Sequence, residues 1–179
     1  MHNSPERQVV AEGKFLRMVK SGRWEFVERT NCSGAVVMIA VTEDDRLLLV
    51  EQLRVPLGAR VIELPAGLVG DLPGESAEGW AEAARRELLE ETGYEADRFE
   101  PVVSGPISAG LSNETATLCL ARGARRVGPG GGDGVEDIAV HAVPLAGVER
   151  WLDERRAAGL LVDVKVYAGL YFAMKARHP

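Results

Sequence analysis

Glu87, Glu90 and Glu91 fall within one five-residue span of the stretch RRELLEETGY. On a helix, the four-residue step puts Glu87 and Glu91 on one face with Glu90 beside them. Like charges at that spacing repel by roughly 0.2–0.5 kcal/mol per pair. A divalent cation would remove that cost and take the carboxylate oxygens as ligands. Hard oxygen donors suit Mg²⁺ or Mn²⁺, which keep several waters and favour phosphate co-ligands. The competing reading is a solvated acidic helix face on which Arg85 and Arg86 pair locally, and the surrounding text has to decide between them.

The acidic stretch belongs to SAEGWAEAARRELLEET, which opens on Ser76 as a candidate N-cap, continues in strong helix formers and stops at Gly93. Trp80, Ala84 and Leu88, with Ala81, share the face expected to pack inward. Before the helix comes GLVGDLPG, whose glycines and prolines read as loop, and before that the short apolar run RVIELPA. WEFVERT, GAVVMIAVTE and LLLVEQLRV read as strands upstream, and EPVVSGPI, ETATLCLARGA and EDIAVHAVPL as strands downstream. The glycine-dense RRVGPGGGDGV lies between the last two and reads as an active-site or surface loop. LAGVERWLDERRAAG and VDVKVYAGLYFAMKAR read as closing helices, the second with a stripe of Val166, Leu170 and Met174. A mixed sheet with one helix among its strands and helices at the end predicts an α/β (α+β) fold of sandwiched layers.

The 179-residue chain is 46% hydrophobic and 27% charged, the composition of a soluble globular protein. Lys+Arg 21 against Asp+Glu 27 leaves a net charge of -6, which argues against a general nucleic-acid binder. A nucleotide substrate remains compatible, because a bound divalent metal reverses the local field. Cys32 and Cys119 sit in apolar runs and read as free thiols, and three histidines without a CxxC pair disfavour a zinc site. No stretch approaches the ~18 apolar residues of a membrane span. MHNSPERQVVAEGKF lacks a signal-peptide layout. The expectation is a cytoplasmic enzyme or binding module with no membrane partner.

In this setting the acidic helix resembles the signature of the Nudix hydrolase family: Gly, five residues, Glu, seven residues, then Arg-Glu-U-x-Glu-Glu-x-Gly-U, with U apolar. Arg86, Glu87, Leu88, Glu90, Glu91 and Gly93 match in register, and Glu78 stands seven residues before Arg86. Tyr94 occupies the last apolar position. Ten residues rather than five separate Gly67 from Glu78, a five-residue insertion; placing Glu75 in the glutamate role instead shifts that insertion. The resemblance implies one Nudix-type α/β/α sandwich over residues 1–179, with the signature at 67–94 and an N-terminal strand region of about residues 1–32 involved in dimerisation.

GRWEFVERT, LLLVEQLRVPLG, VIELPAG and LLVDVKVYAGLYFAMK also resemble the ADP-ribose pyrophosphatase branch. That likeness implies Mg²⁺ held by Glu87, Glu91, often Glu90, and the carbonyl of Ala66, with Glu90 also counted in the catalytic machinery. It implies a loop glutamate acting as base or metal ligand, for which Glu136 is the choice and Asp133 the second. Arg86 would orient a glutamate, and Gly67, Glu78 and Gly93 would support the structure. Arg54, at a strand end, could hold a phosphate bidentately or be a solvated edge arginine. Trp24 matches a tryptophan that stacks on adenine in homodimeric relatives, or is a half-buried strand aromatic. Glu114 joins the substrate-binding set. Ala109, sixteen residues past Gly93, replaces a proline typical of the branch, while Ser108, Gly110 and Glu114 remain. The implied reaction is hydrolysis of ADP-ribose to AMP and ribose 5-phosphate. GDP-mannose or another sugar nucleotide, and FAD or NADH, are the rival substrates, and a non-catalytic nucleotide-sensing module is the rival class.

Overall fold

Val36 to Ala40 are buried without a break, as a continuous apolar run must be in a strand covered on both faces. The computed structural model describes residues 6–72, 78–132 and 137–177. It begins with β1 (Arg7–Glu12), β2 (Leu16–Ser21) and β3 (Trp24–Arg29), an antiparallel sheet of their own. There follow β4 (Gly34–Thr42), β5 (Arg46–Arg54), β6 (Ala59–Glu63) and β7 (Ala66–Val69). Helix α1 (Trp80–Thr92) leads to β8 (Tyr94–Glu95), β9 (Arg98–Pro106), β10 (Thr115–Arg126) and β11 (Ala139–Pro144). The described chain closes with α2 (Val148–Ala157), β12 (Leu161–Val162) and α3 (Val164–Lys175).

Among the described residues, nine strands form one mixed sheet. Strand β4 runs parallel to β10, and β8 and β9 pair antiparallel with β10. On its other edge β4 meets β5 in one register pair, Val41 with Leu47, and then gives that edge to β7. Strands β6 and β11 both pair antiparallel with β5, and β12 lies parallel to β6. Alternation along β4 splits the core: Val37 and Ile39 join Val148, Leu152, Val166 and Leu170 from α2 and α3. Val36, Met38 and Ala40 face the other way, to Ala83, Ala84 and Leu88 of α1. The layers are those of the expected α/β/α sandwich.

Five local expectations change. Ser76 lies outside the described residues, and α1 begins at Trp80 with Gly79 as its cap. Glu78, expected inside the helix, precedes it, because its carboxylate is held by the Gly70 amide and by Arg86. Ala66–Val69 forms strand β7 rather than loop: the free edge of β4 supplies backbone partners that outweigh local glycine propensity. Arg125 and Arg126, also read as loop, extend β10 by pairing with Glu95 and Tyr94. On α3 the inward stripe is Val166, Leu170 and Ala173, whereas Met174 is exposed.

The N-terminal sheet carries few buried residues, Val19 and Glu28 among them, and leaves Val9, Val10, Phe15, Leu16, Met18 and Trp24 exposed. It docks on the 108–114 segment through a Val27–Ser112 bridge, the Val27 amide on the Leu111 carbonyl, and an Asn113–Glu28 hydrogen bond of 3.1 Å.

Leu88 roots α1 in the core with no exposed surface. Leu88→Ala is expected to cost about 2–5 kcal/mol in urea unfolding, the range for a buried leucine whose cavity only partly collapses. A loss below about 1 kcal/mol would mean that α1 is not anchored through this side chain.

Candidate active site

Helix α1 is built from residues that lose little rotamer entropy in a helix. Gly79, extended at φ -77 and ψ 153, has no side chain to cap with, and the Glu82 carboxylate accepts its amide at 2.8 Å instead. At the other end Gly93 takes φ 72 and donates its amide to the Leu89 carbonyl at 2.8 Å. With Ala83, Ala84 and Leu88 fixed in the core, the acidic face lies against β7. Its three glutamates differ in burial: Glu91 is 4% exposed, the Glu87 side chain 14% and the Glu90 side chain 46%.

Each buried glutamate meets the backbone of Ala66–Gly67. The Glu91 Oε2 accepts the Ala66 amide at 3.0 Å. The Glu87 carboxyl fills the space where a Cβ on Gly67 would stand, so only glycine permits that contact. Arg86 joins these parts. Its Nε and Nη2 grip Glu78 at 3.1 and 3.2 Å, and its Nη1 reaches Glu87 at 2.7 Å and Glu90 at 3.4 Å. Nη2 also donates to the Leu68 carbonyl at 3.2 Å and to Asp71 at 3.4 Å. One guanidinium therefore ties the end of β7, the approach to α1 and the acidic face together, a use of the planar fork that lysine could not copy.

Burial pushes the Glu87 carboxyl up to about 7; Arg86 pulls it down, but Glu90 and Asp71 push it further up. Glu78 moves the other way, held below its ordinary value by the Arg86 hydrogen bond against a desolvation cost. For Arg86 itself, burial disfavours the charge, but Glu78 and Glu87 outweigh it and raise its pKa. The acidic face is thus short of positive charge. Among the described residues no three acidic, histidine or cysteine side chains converge into a ready-made cation cage. Carboxylates that share a face without closing on one point fit a small hard cation which keeps part of its water shell.

The other candidates lie in separate places. Arg54 bonds Glu63 through Nε at 2.9 Å, and Gln52 donates to the same carboxylate at 3.1 Å. Trp24 is 59% exposed and borders a cleft of about 660 Å³ with Arg7, Phe26, Ala109, Ser112 and Asn113. Glu114 is ion-paired with Arg29. Glu136, Asp133 and Glu75 lie outside the described residues. Sequence reasoning missed Asp71, Glu63 and a cluster in which Glu51 bonds Arg60 at 2.6 Å and His141 at 3.0 Å, while Arg60 holds Asp137 at 2.8 Å. A cue to these pairs would have been β5–β6–β11 register, which sets Glu51 opposite Ile62 and Ala139.

A family model described as NUDIX domain matches residues 33–130. The chain is 34% identical over 124 residues to the methanol dehydrogenase activator of Bacillus methanolicus, covering 69% of this chain and 64% of that protein, just under two thirds. It is 34% identical over 191 aligned residues to the ADP-sugar pyrophosphatase of Mus musculus, covering 93% of this chain and 85% of that protein. A crystal structure of an ADP compounds hydrolase superposes with a TM-score of 0.65 at 22% identity, over 83% of this chain and 80% of that one, and so shares the fold.

The raised Glu87 carboxyl has a consequence for the metal-free protein. A folded-state value near 7 against an ordinary 4.5 means the folded protein holds a proton that the unfolded chain releases. The stability that Glu87 contributes is therefore full below pH 4.5 and is lost as pH rises to about 7. The loss is up to roughly 3 kcal/mol. In chelator, Glu87→Gln should remove this decline from the pH dependence of the urea midpoint; a decline of unchanged size would assign it to other groups.

Proposed function

This chain belongs to the NUDIX family, and we propose that it hydrolyses the diphosphate bond of nucleoside diphosphate derivatives, ADP-ribose first among them, with Mg²⁺ or Mn²⁺. The observation that carries this reading is the acidic face of α1 folded over Ala66–Gly67, with Glu87 buried beyond what Arg86 compensates. All the carboxylates of the signature are present, which favours an enzyme over a nucleotide-sensing module. The similarity to an ADP-sugar pyrophosphatase supports a nucleotide-sugar substrate. Ala109 in place of proline keeps GDP-mannose, FAD and NADH among the substrates to test.

Glu87, Glu90 and Glu91 would hold the metal with the Ala66 carbonyl. Bound there, it would neutralise diphosphate oxygens and lower the pKa of the attacking water. Arg86, itself fixed by Glu78, keeps Glu87 turned toward β7. Arg54 would hold a phosphate oxygen while Glu63 fixes its guanidinium. Glu136, with Asp133 second, would take the proton of the water. The water oxygen then bonds to phosphorus, and the bridging P–O bond breaks, giving AMP and ribose 5-phosphate from ADP-ribose. A cytoplasmic location and a single domain over residues 1–179 belong to the same reading. The cysteines are free, and no described helix is long and apolar enough to cross a membrane.

A substrate panel with Mg²⁺ or Mn²⁺ and products identified by mass spectrometry tests the reaction. ADP-ribose should yield AMP and ribose 5-phosphate, and Glu91→Gln or Glu87→Gln should lower turnover by about a hundredfold or more. Glu136→Gln should reduce kcat by roughly 10²–10⁴ with KM little changed. Activity untouched in both α1 variants at saturating Mg²⁺ would remove the helix from the chemistry, and full loss in Asp133→Asn alone would move the base there.

The apolar residues left exposed on the N-terminal sheet support a homodimer in which that sheet completes the partner's site, with Trp24 stacking on adenine. Such stacking is worth about 1–3 kcal/mol. Trp24→Ala should then raise KM for adenine substrates about ten- to a hundredfold with less effect on kcat. A fully active monomer by light scattering at micromolar concentration would defeat the shared site, and a dimer with unchanged KM would discard the stacking.

A further inference from the structure

The α1 helix ends in an unusual way, and the three residues that follow cannot complete it. An interior helical carbonyl is satisfied by the amide four residues on. For Glu90 and Glu91 those amides belong to Tyr94 and Glu95, which have already turned into β8. The partners come instead from the glycine run: the Gly132 amide bonds the Glu90 carbonyl at 3.0 Å, and the Gly131 amide bonds the Glu91 carbonyl at 2.9 Å. In return the Gly93 carbonyl accepts the Val127 and Gly128 amides at 2.8 and 2.9 Å. The two segments lie too close for any side chain between them. A Cβ on Gly130 would overlap the Thr92 carbonyl carbon, and one on Gly93 would overlap the Gly128 carbonyl oxygen. Both glycines also have φ near +70, a region that L side chains rarely adopt.

We infer that the segment from Val127 to Gly132 is a cap in trans for α1, and that Gly130 through Gly132 are positioning residues for Glu90 and Glu91. The two carbonyls it holds belong to the same residues whose carboxylates sit on the acidic face. Without the cap the last turn of α1 would fray, as uncapped helix ends do, and the carboxylates would lose their fixed relation to Ala66. Gly93 and Gly130 are therefore required for close approach, in addition to any freedom they lend the chain. This inference rests on the reading of Glu87, Glu90 and Glu91 as metal donors.

Amide hydrogen exchange by NMR on the metal-free protein tests the cap directly. The Gly131 and Gly132 amides should be protected to the degree of interior α1 amides; exchange at the rate of free loop amides would overturn the proposal. By reciprocity, a cap that favours metal binding must be favoured by it, so Mg²⁺ should slow both amides by about tenfold. Gly130→Ala should weaken Mn²⁺ binding, read by electron paramagnetic resonance, by tenfold or more, and lower kcat more than it changes KM. Gly147→Ala, where an added Cβ meets nothing, should do neither. If Gly130→Ala does not fold, the wild-type exchange and its Mg²⁺ response decide alone. Mn²⁺ affinity unchanged in folded Gly130→Ala overturns the positioning role by itself. Protected amides in a wild-type protein that binds no Mn²⁺ would instead sink the metal reading of α1, and the positioning role with it.

Discussion

The site depends on one guanidinium. Arg86 is 19% exposed and is surrounded by Glu78, Glu87, Glu90 and Asp71, four carboxylates that would otherwise repel one another. A cation buried to that degree is tolerated only when its donors are used, and here Nε, Nη1 and Nη2 all find oxygen acceptors. Because those acceptors lie on β7, on the approach to α1 and on α1 itself, the ion pairs also fix how three pieces of chain meet. The Gly67 contact follows: with α1 drawn against β7, the Glu87 carboxyl has no room for any side chain opposite it.

What Arg86 leaves undone has equal consequence. Burial pushes Glu87 above its ordinary value, and Arg86, shared among four carboxylates, does not offset it. The metal-free site is accordingly proton-seeking near neutrality, and a divalent cation would replace that proton. The fold supplies the rest of the rigidity. Leu88, Ala83 and Ala84 lock one side of α1 into the core, and the glycine run closes its end. Placing acidic side chains on an anchored helix while leaving Glu90 half in solvent gives a face whose backbone is fixed and whose outermost carboxylate can still turn.

The substrate-side candidates are organised on another principle. Trp24 and Ala109 are far apart in sequence and border one cleft because β3 docks on the 108–114 segment through Val27, Glu28 and Arg29, the last paired with Glu114. Glu28 is nearly inaccessible, and its carboxylate accepts from Arg17 at 2.9 Å and from Asn113. A buried carboxylate that joins two strands and a loop sets the position of the N-terminal sheet more narrowly than its few buried apolar residues would. Substitution at Ala109 therefore alters the wall of a cleft whose other wall is the N-terminal sheet.

Much of this was legible in the residues. The spacing of Glu87, Glu90 and Glu91, the helix formers around them and the stop at Gly93 predict α1 and its acidic face, because helical period is a local property of the chain. The β-branched runs predict the central strands for the same reason. What the sequence could not show was decided by pairing across distance. Strand β7 exists because β4 had an open edge, and Glu78 leaves the helix because Arg86 holds it. Arg54 meets Glu63, and Glu51 meets Arg60 and His141, through strand register, which no local pattern encodes. The glycine run reads as slack from composition alone. Only the folded chain brings Gly130 against Gly93, where the absence of two side chains lets one segment finish the other's hydrogen bonds.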